Sequence, residues 1–193
     1  MTASIDTDLV RRAAGRDHDA MAALLTELRP GLVRYCRARL GRIGGAYTTA
    51  DDVAQEVCLA LLRALPTYRD VGKPFSAFVY GIAAHKVADA QRAAMRNAVT
   101  SPVAEIGDGP DTTVPGPEQS AERSDLARRL SGLLARLPET HREIVLLRVA
   151  VGLSADEVGQ VVGMTAAAVR VTQSRALAKL RTLAGDALRE VAA

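Results

Sequence analysis

The residues best suited to do chemistry are six aromatics, of which four (Tyr68, Phe75, Phe78 and Tyr80) fall in one short stretch. Arg69, Lys73, His85, Lys86 and Arg92 lie among or just after them. Stacking surfaces interleaved with cations are what unstacked, single-stranded bases and their phosphates require. Phe75, Phe78 and Val79 equally fit the core face of a helix. The loop residues Tyr68, Arg69 and Lys73 are therefore the better candidates for direct contact. His85 and Asp89 stand four residues apart, but no third ligand follows at a suitable spacing, so no metal is expected.

A second pattern lies near the end, in 164-MTAAAVRVTQSRALAKLR-181, with four cations and no acid. On a wheel of 100° per residue, Val169, Ala176, Leu177, Leu180, Leu183 and Ala184 gather on one side, which must face a core. Ala167, Val171, Ser174 and Ala178 gather on the other. Arg170 and Arg181 border this small-residue face along one edge, Arg175 and Lys179 along the other. A helix entering a major groove about 12 Å wide needs small groups near base edges and arginines within reach of bases and phosphates. A GC-rich genome would also produce an alanine-rich helix. A third pattern is acidic: Asp52, Gln55 and Glu56 share one face of a helix start. Favourable interaction with the helix N-terminus accounts for Asp51 and Asp52 better than for Glu56. A docking face for a basic protein is the alternative, and the residues alone do not decide between them.

The elements that must position these patterns are helical throughout. No alternating strand and no internal repeat is found. In the first part, Asp6 to Ala14 reads as a short helix stopped at Gly15, and Asp19 to Leu40 as a longer one interrupted or kinked near Pro30. Thr49 can cap, with Asp52 as a weaker version of the capping box, a helix that buries Val53, Val57, Leu61 and Leu65 and ends at Pro66. After the loop 66–74 comes a helix over 75–96. In the second part, Leu126, Leu130, Leu133, Leu134 and Leu137 line one helical face. Pro138 opens the next helix, which carries Ile144, Val145, Leu147 and Val149 and ends at Gly152. Ser154 and Glu157 form a second capping box, Gly163 makes a turn, and Thr165 caps the last helix. A short helix, a glycine turn and a longer helix make a helix-turn-helix.

Between the two parts, residues 97–122 contain four prolines, five acids and no Lys or Arg, the composition of a flexible acidic linker. The whole chain carries a formal charge of +3, so the flanking segments are more basic still. Such an arrangement suits an anionic partner, most often nucleic acid. Of the 25 basic residues only Lys73, Lys86 and Lys179 are lysines. Arginine suits bidentate phosphate and base contacts, although genomic GC content explains the bias equally well. No apolar run approaches the ~18 residues of a membrane span, and the N-terminus has no signal-peptide pattern. Cys36 and Cys58 lack metal or redox spacing and read as buried thiols of a cytoplasmic protein.

The order and spacing of 51-DDVAQEV-57, 65-LPTYRDVGKPFSAFVYGIAAHKVADAQR-92 and 137-LPETHREIVLLRVAVGLSADEVGQVVGMTAAAVRVTQSRALAKLR-181 resemble the extracytoplasmic-function (group 4) sigma factors of bacterial RNA polymerase. The match extends over nearly the whole length. The runs CRARLG, DDVAQEVCLALL and YGIAAHKVADAQRAA look like the actinobacterial sigma-D-like branch. The resemblance implies an all-α protein with a sigma-2 domain (1–96), the flexible acidic linker (97–122) and a sigma-4 domain with the helix-turn-helix (123–193). It implies docking of Asp52, Gln55 and Glu56 on the β′ coiled coil of core polymerase, and contact of sigma-4 with the β flap. Recognition and melting of the −10 element would fall to Tyr68, Arg69, Asp70, Lys73, Phe75, Phe78, His85, Lys86 and Arg92. Reading of the −35 element would fall to Thr165, Ala167, Ala168, Arg170, Val171, Ser174, Arg175 and Lys179. The acidic linker would pass towards the RNA exit path.

Some positions depart from the family pattern. Phe78-Val79-Tyr80 stands where many relatives have Trp-Leu-Tyr, and His85 where asparagine is common. Relatives often carry an arginine at the position of Thr172 and an aromatic near Ser174, so the −35 sequence read here is expected to differ. The expectation is a promoter-specificity subunit without catalytic residues, cofactor or membrane insertion, whose partners are core polymerase and promoter DNA, with an anti-sigma factor as a further candidate. A polymerase-independent helix-turn-helix regulator is the alternative. An enzyme built on His85, such as a phosphodiesterase, lacks a second histidine cluster, a phosphate loop and a nucleophile motif.

Overall fold

A computed structural model of the chain describes residues 5–40, 49–100, 126 and 129–192. Helices account for all of its regular structure among these residues. They are α1 (Thr7–Ala14), α2 (His18–Leu40), α3 (Ala50–Ala64) with a 3-10 turn Leu65–Thr67, and α4 (Phe75–Thr100). A second group comprises α5 (129–135), α6 (Glu139–Val145) continued by a π-helical segment Leu146–Val151, α7 (Ala155–Val162) and α8 (Ala166–Ala192).

Local sequence sets most of the boundaries. Asp6 caps α1 by accepting from the amide of Asp8 at 2.9 Å. The left-handed position after α1 belongs to Arg16 (φ 67°), not to Gly15. Both capping boxes form: Thr49 with Asp52 at the start of α3, and Ser154 with Glu157 at the start of α7. Gly152 and Gly163 take left-handed conformations at the two helix ends where glycine was expected to stop the chain. Pro30 lies inside α2 without ending it. Helix α4 runs to Thr100, four residues past the expected end. The rest of the expected acidic linker lies outside the described residues.

Apolar periodicity places the core. Val53, Val57, Leu61 and Leu65 are all buried, as their spacing requires. Helix α2 is the centre of the first group, burying Leu24, Leu28, Leu32, Tyr35 and Cys36 against its neighbours. The same core continues into the second group through Ile144, Leu147, Val151, Leu153, Ala155 and Val158. A smaller cluster of Leu134, Leu137, Val145, Leu146 and Ala176 ties α5 and α6 to α8. Two expectations fail here. Leu126 and Leu130 are 67% and 52% exposed, because only the later turns of the leucine face reach α6 and α8. Val149 is also exposed, because the wider winding of residues 146–151 changes the phase of the helix and turns Leu146, Leu147 and Val151 inward instead.

Sequence reading gave Gly159 no role, but it is buried in α7, and a Cβ there would lie 2.5 Å from the carbonyl oxygen of Met164. Only glycine lets the helix-turn-helix turn pack this closely. Burial also acts on two tyrosines. Tyr35 and Tyr80 meet edge to face with ring centroids 5.5 Å apart, and burial, first among several causes, raises both phenol pKa values.

Two outcomes are expected. Gly159→Ala should lower the unfolding free energy by about 1–3 kcal/mol, read from urea denaturation, by overpacking the turn. The tyrosine shifts set a sign in alkali. The folded state keeps both phenols protonated, while the unfolded chain releases them near pH 10, so stability should fall as pH rises above about 10. Tyrosinate absorbance of Tyr35 and Tyr80 should appear only together with loss of helical circular dichroism.

Candidate nucleic-acid interface

The loop between the 3-10 turn and α4 is folded by its own side chains. The Asp70 carboxylate accepts from the amide of Gly72 at 2.9 Å, closing an Asx turn in which Gly72 takes φ 75°. This leaves Val71 72% exposed at the loop tip. Behind the loop, Tyr68, Phe75 and Phe78 form a three-ring cluster. Their centroids are 5.1 Å (Tyr68–Phe75), 5.0 Å (Tyr68–Phe78) and 5.8 Å (Phe75–Phe78) apart. All three rings are half-buried, so each keeps some surface open while the cluster supports itself. Burial, then the nearby Asp70 charge, raises the Tyr68 phenol pKa. Phe78 also borders an open, largely apolar depression with Ile82, His85 and Lys86. A cleft of about 300 Å³ lies on the other side of Tyr68 and Phe75, with Arg11 and Lys73 among its lining residues.

The remaining α4 candidates are partly engaged. Arg92 pairs with Asp89 one turn before it. Lys86 lies 3.5 Å from Glu56 of α3. His85 sits exposed, with Nδ1 3.2 Å from the carbonyl of Gly81. Arg69 and Lys73 are exposed on the loop.

The acidic face of α3 caps its own helix and remains exposed. One Asp52 oxygen accepts from the Thr49 amide at 2.8 Å and the Thr49 hydroxyl at 2.9 Å. These bonds, the backbone one first, hold the Asp52 carboxyl below its ordinary pKa. Asp51 is bound in bidentate fashion by Arg37. Gln55 and Glu56 are exposed beside Leu59, an apolar residue 46% exposed. The capping account therefore holds for Asp52, Asp51 is paired with Arg37, and the face stays open to solvent.

Helix α8 takes the orientation its wheel requires. Val169, Ala176 and Leu183 are buried. Ala167, Val171, Ser174 and Ala178 are exposed, with Arg170, Arg175, Lys179 and Arg181 exposed along the borders. Thr165 caps the helix by accepting from the amide of Ala168 at 3.2 Å. Arg170 reaches to 3.8 Å from Asp156 of α7, a contact that leaves its guanidinium on the rim. Arg148, which sequence reading passed over, donates from Nε to Gln173 at 3.0 Å and also to the carbonyl of Leu153. It thereby ties α8 to the loop before α7.

Sequence reading also missed a set of polar contacts between the two helical groups. Arg39 of α2 lies 2.9 Å from Glu139 and 3.4 Å from Glu143. Tyr35 donates to Glu143 at 2.7 Å, Arg34 to the carbonyl of Ala150 at 2.8 Å, and Ser76 to Glu157 at 3.0 Å. The signal was present as Tyr35/Arg39 and Glu139/Glu143, two polar pairs at four-residue spacing. Nothing in one sequence says that such pairs face each other. The cysteines are both free. Cys36 is buried and its thiol is pushed up to about 12, chiefly by burial, while half-buried Cys58 is also raised.

The described residues form only helices as regular structure, with an exposed cationic helix-turn-helix and an aromatic loop. Residues 24–97 match the Sigma-70 region 2 family and residues 127–180 match Sigma-70, region 4. The chain is 52% identical over 179 residues to the ECF RNA polymerase sigma factor ShbA of Streptomyces griseus, covering 91% of this chain and 93% of that protein. It is 51% identical over 185 residues to the ECF RNA polymerase sigma factor SigD of Mycobacterium tuberculosis, covering 92% and 84%. A solved structure of CnrH in complex with the cytosolic domain of CnrY superposes with a TM-score of 0.66 at 26% identity, covering 93% of this chain and 96% of that one. The chain belongs to the ECF RNA polymerase sigma factors. No helix among the described residues is long and apolar enough to cross a membrane.

Thr49→Ala should lower stability by about 1 kcal/mol, the usual cost of an N-cap, measured by denaturant unfolding. It should also return the Asp52 carboxyl towards its ordinary pKa. The depressed Asp52 pKa contributes stability that is present above the unfolded carboxylate pKa and lost as pH falls through the folded one. The variant should therefore show a shallower loss of stability in acid.

Proposed function

We propose that this sigma factor binds core RNA polymerase through Asp52, Gln55 and Glu56, reads a −35 element with α8, and takes up the melted −10 strand on the loop and helix from Tyr68 to Arg92. The observation that carries the reading is the exposed face of α8. Its centre is small (Ala167, Val171, Ser174, Ala178) and its borders are cationic (Arg170, Arg175, Lys179). That shape admits a base-pair edge and places guanidinium groups where bases and phosphates lie. Thr165 and Ala168 sit at the helix entrance, where backbone amides and a hydroxyl meet a phosphate.

The −10 site works by stacking. Each base stacked on an aromatic contributes ~1–3 kcal/mol, while extruding a base costs a few kcal/mol. A three-ring cluster flanked by Arg69 and Lys73 is therefore comparable to the cost of one or two extruded bases. Polymerase contacts must supply the rest of the melting energy. The work is done by binding, no covalent step is required, and the chain acts as a specificity subunit, not as an enzyme. Its place of action is the cytoplasm, where core polymerase and promoter DNA are found. CnrH, with which it shares its fold, is held by the cytosolic domain of CnrY, and an anti-sigma partner of comparable kind is proposed here.

The test is transcription in vitro with core polymerase and this chain on genomic fragments, with start sites mapped. Core-dependent initiation at a shared −35/−10 pattern supports the reading; tight duplex binding without polymerase and no initiation overturns it. At a promoter so defined, Arg170→Ala and Arg175→Ala should each weaken −35 recognition by ~1–3 kcal/mol, measured as the change in apparent promoter affinity of the holoenzyme. Wild-type affinity in both variants would remove α8 from the assignment.

A further inference from the structure

Val171 departs from the rule that the rest of the outer face of α8 obeys. It is 50% exposed, and it belongs to neither hydrophobic cluster of the described residues. Its neighbours along the centre of that face are Ala167, Ser174 and Ala178, all small and all exposed. Valine is a poorer helix former than alanine, because its branched Cβ loses χ1 freedom against the preceding turn. Its two methyls also meet water. Both effects disfavour valine here, and among the described residues no apolar packing offsets them. A single exposed apolar side chain is ordinary on a protein surface. This one stands in the middle of the face that meets the major groove.

The stiffness that disfavours valine also gives it a use. A β-branched residue in a helix holds one strongly preferred rotamer, so its methyls stand in a fixed direction. Helical side chains lean towards the N-terminus, which lays Val171 over the turn that carries Ala167 and Ala168. The result is a small apolar surface bordered by Arg170 and Arg175, with Arg170 drawn aside to 3.8 Å from Asp156. A surface with neither donor nor acceptor discriminates by what it leaves unpaired. Guanine, adenine and cytosine present polar groups to the major groove. Covering one of these with valine removes its water and returns no hydrogen bond. Thymine alone adds an apolar group to its edge, the C5 methyl.

We propose that Val171 is a specificity-determining residue that selects a thymine in the −35 element through its C5 methyl, with no part in holding α8 together. The proposal rests on the assignment of α8 to the −35 element and names what one of its side chains selects. Arg170 and Arg175 supply contacts to phosphates and guanines at the borders. Val171 sets the identity of the base between them.

The experiment uses holoenzyme assembled from core polymerase and the full chain, on a duplex promoter mapped by transcription. Each thymine of the −35 element, on either strand, is replaced singly by deoxyuridine. The replacement removes the methyl and leaves every hydrogen-bonding group in place. One position should weaken wild-type binding about four-fold, the equivalent of one buried methyl group. In Val171→Ala the same replacement should change affinity by less than about two-fold, because the apolar partner of the methyl is gone. The variant chain should resist urea as well as wild type or better, since alanine favours the helix. Equal wild-type affinity for thymine and uracil at every position overturns the proposal. So does a preference that Val171→Ala keeps in full, which gives the methyl to another side chain. A clear loss of stability in Val171→Ala would make the valine structural and overturns it as well. Arg170→Ala and Arg175→Ala on the same duplex test the −35 assignment itself. If they weaken binding and the uracil duplexes do not, the valine contact fails alone; if neither does, the assignment of α8 fails with it.

Discussion

Among the described residues, α1, α3, α4 and the π-helical segment 146–151 all pack on α2, which joins the two helical groups. The helix is buried along Leu24, Leu28, Leu32 and Tyr35, a spacing of three to four residues that forms one stripe. One stripe can be covered by α1, α3 and α4, and those helices do cover it. The core does not stop there, because Tyr35 and Arg39 carry polar ends at the far margin of the stripe, and Glu143 of α6 meets both. Apolar burial supplies the attraction between the two helical groups, at about 25 cal/mol for each square ångström of apolar surface removed from water. The buried ions mainly select which surfaces meet.

Local structure was legible in the sequence where one residue dictates it. The two capping boxes, the glycine stops at 152 and 163 and the wheel of α8 all follow from the identity of a few side chains. What was not legible depends on partners distant in sequence. Glu139 and Glu143 look like any solvated helix pair until Arg39, a hundred residues away, is placed beside them. Leu126 and Leu130 continue an apolar face whose later members are buried, and periodicity does not say where the covering helix ends. The π-helical segment escaped for a related reason: a change of winding leaves the composition of a helix unchanged and alters only its phase.

The candidate site was legible to a similar degree. Residue type correctly separated the exposed face of α8 from its buried one. It could not say that Phe75 and Phe78 would be half-buried and half-open at once, both core and surface. Each ring packs against its neighbours and keeps part of its surface open. The same holds for Asp52, whose carboxylate caps its helix with one oxygen while its face stays exposed. Functional residues that also hold their own element together arrive preorganised, with their rotamers already fixed.

Glu157 shows where that economy leads. The residue closes the capping box of α7, the first helix of the helix-turn-helix, through Ser154, and its other oxygen accepts from Ser76 on α4. A single side chain thus belongs both to the helix-turn-helix scaffold and to the wall of the cleft beside Tyr68 and Phe75. Selection cannot retune one without touching the other. Among chains of this kind, changes at 76, 154 and 157 should therefore be inherited together, as a small linked group within an otherwise freely drifting surface.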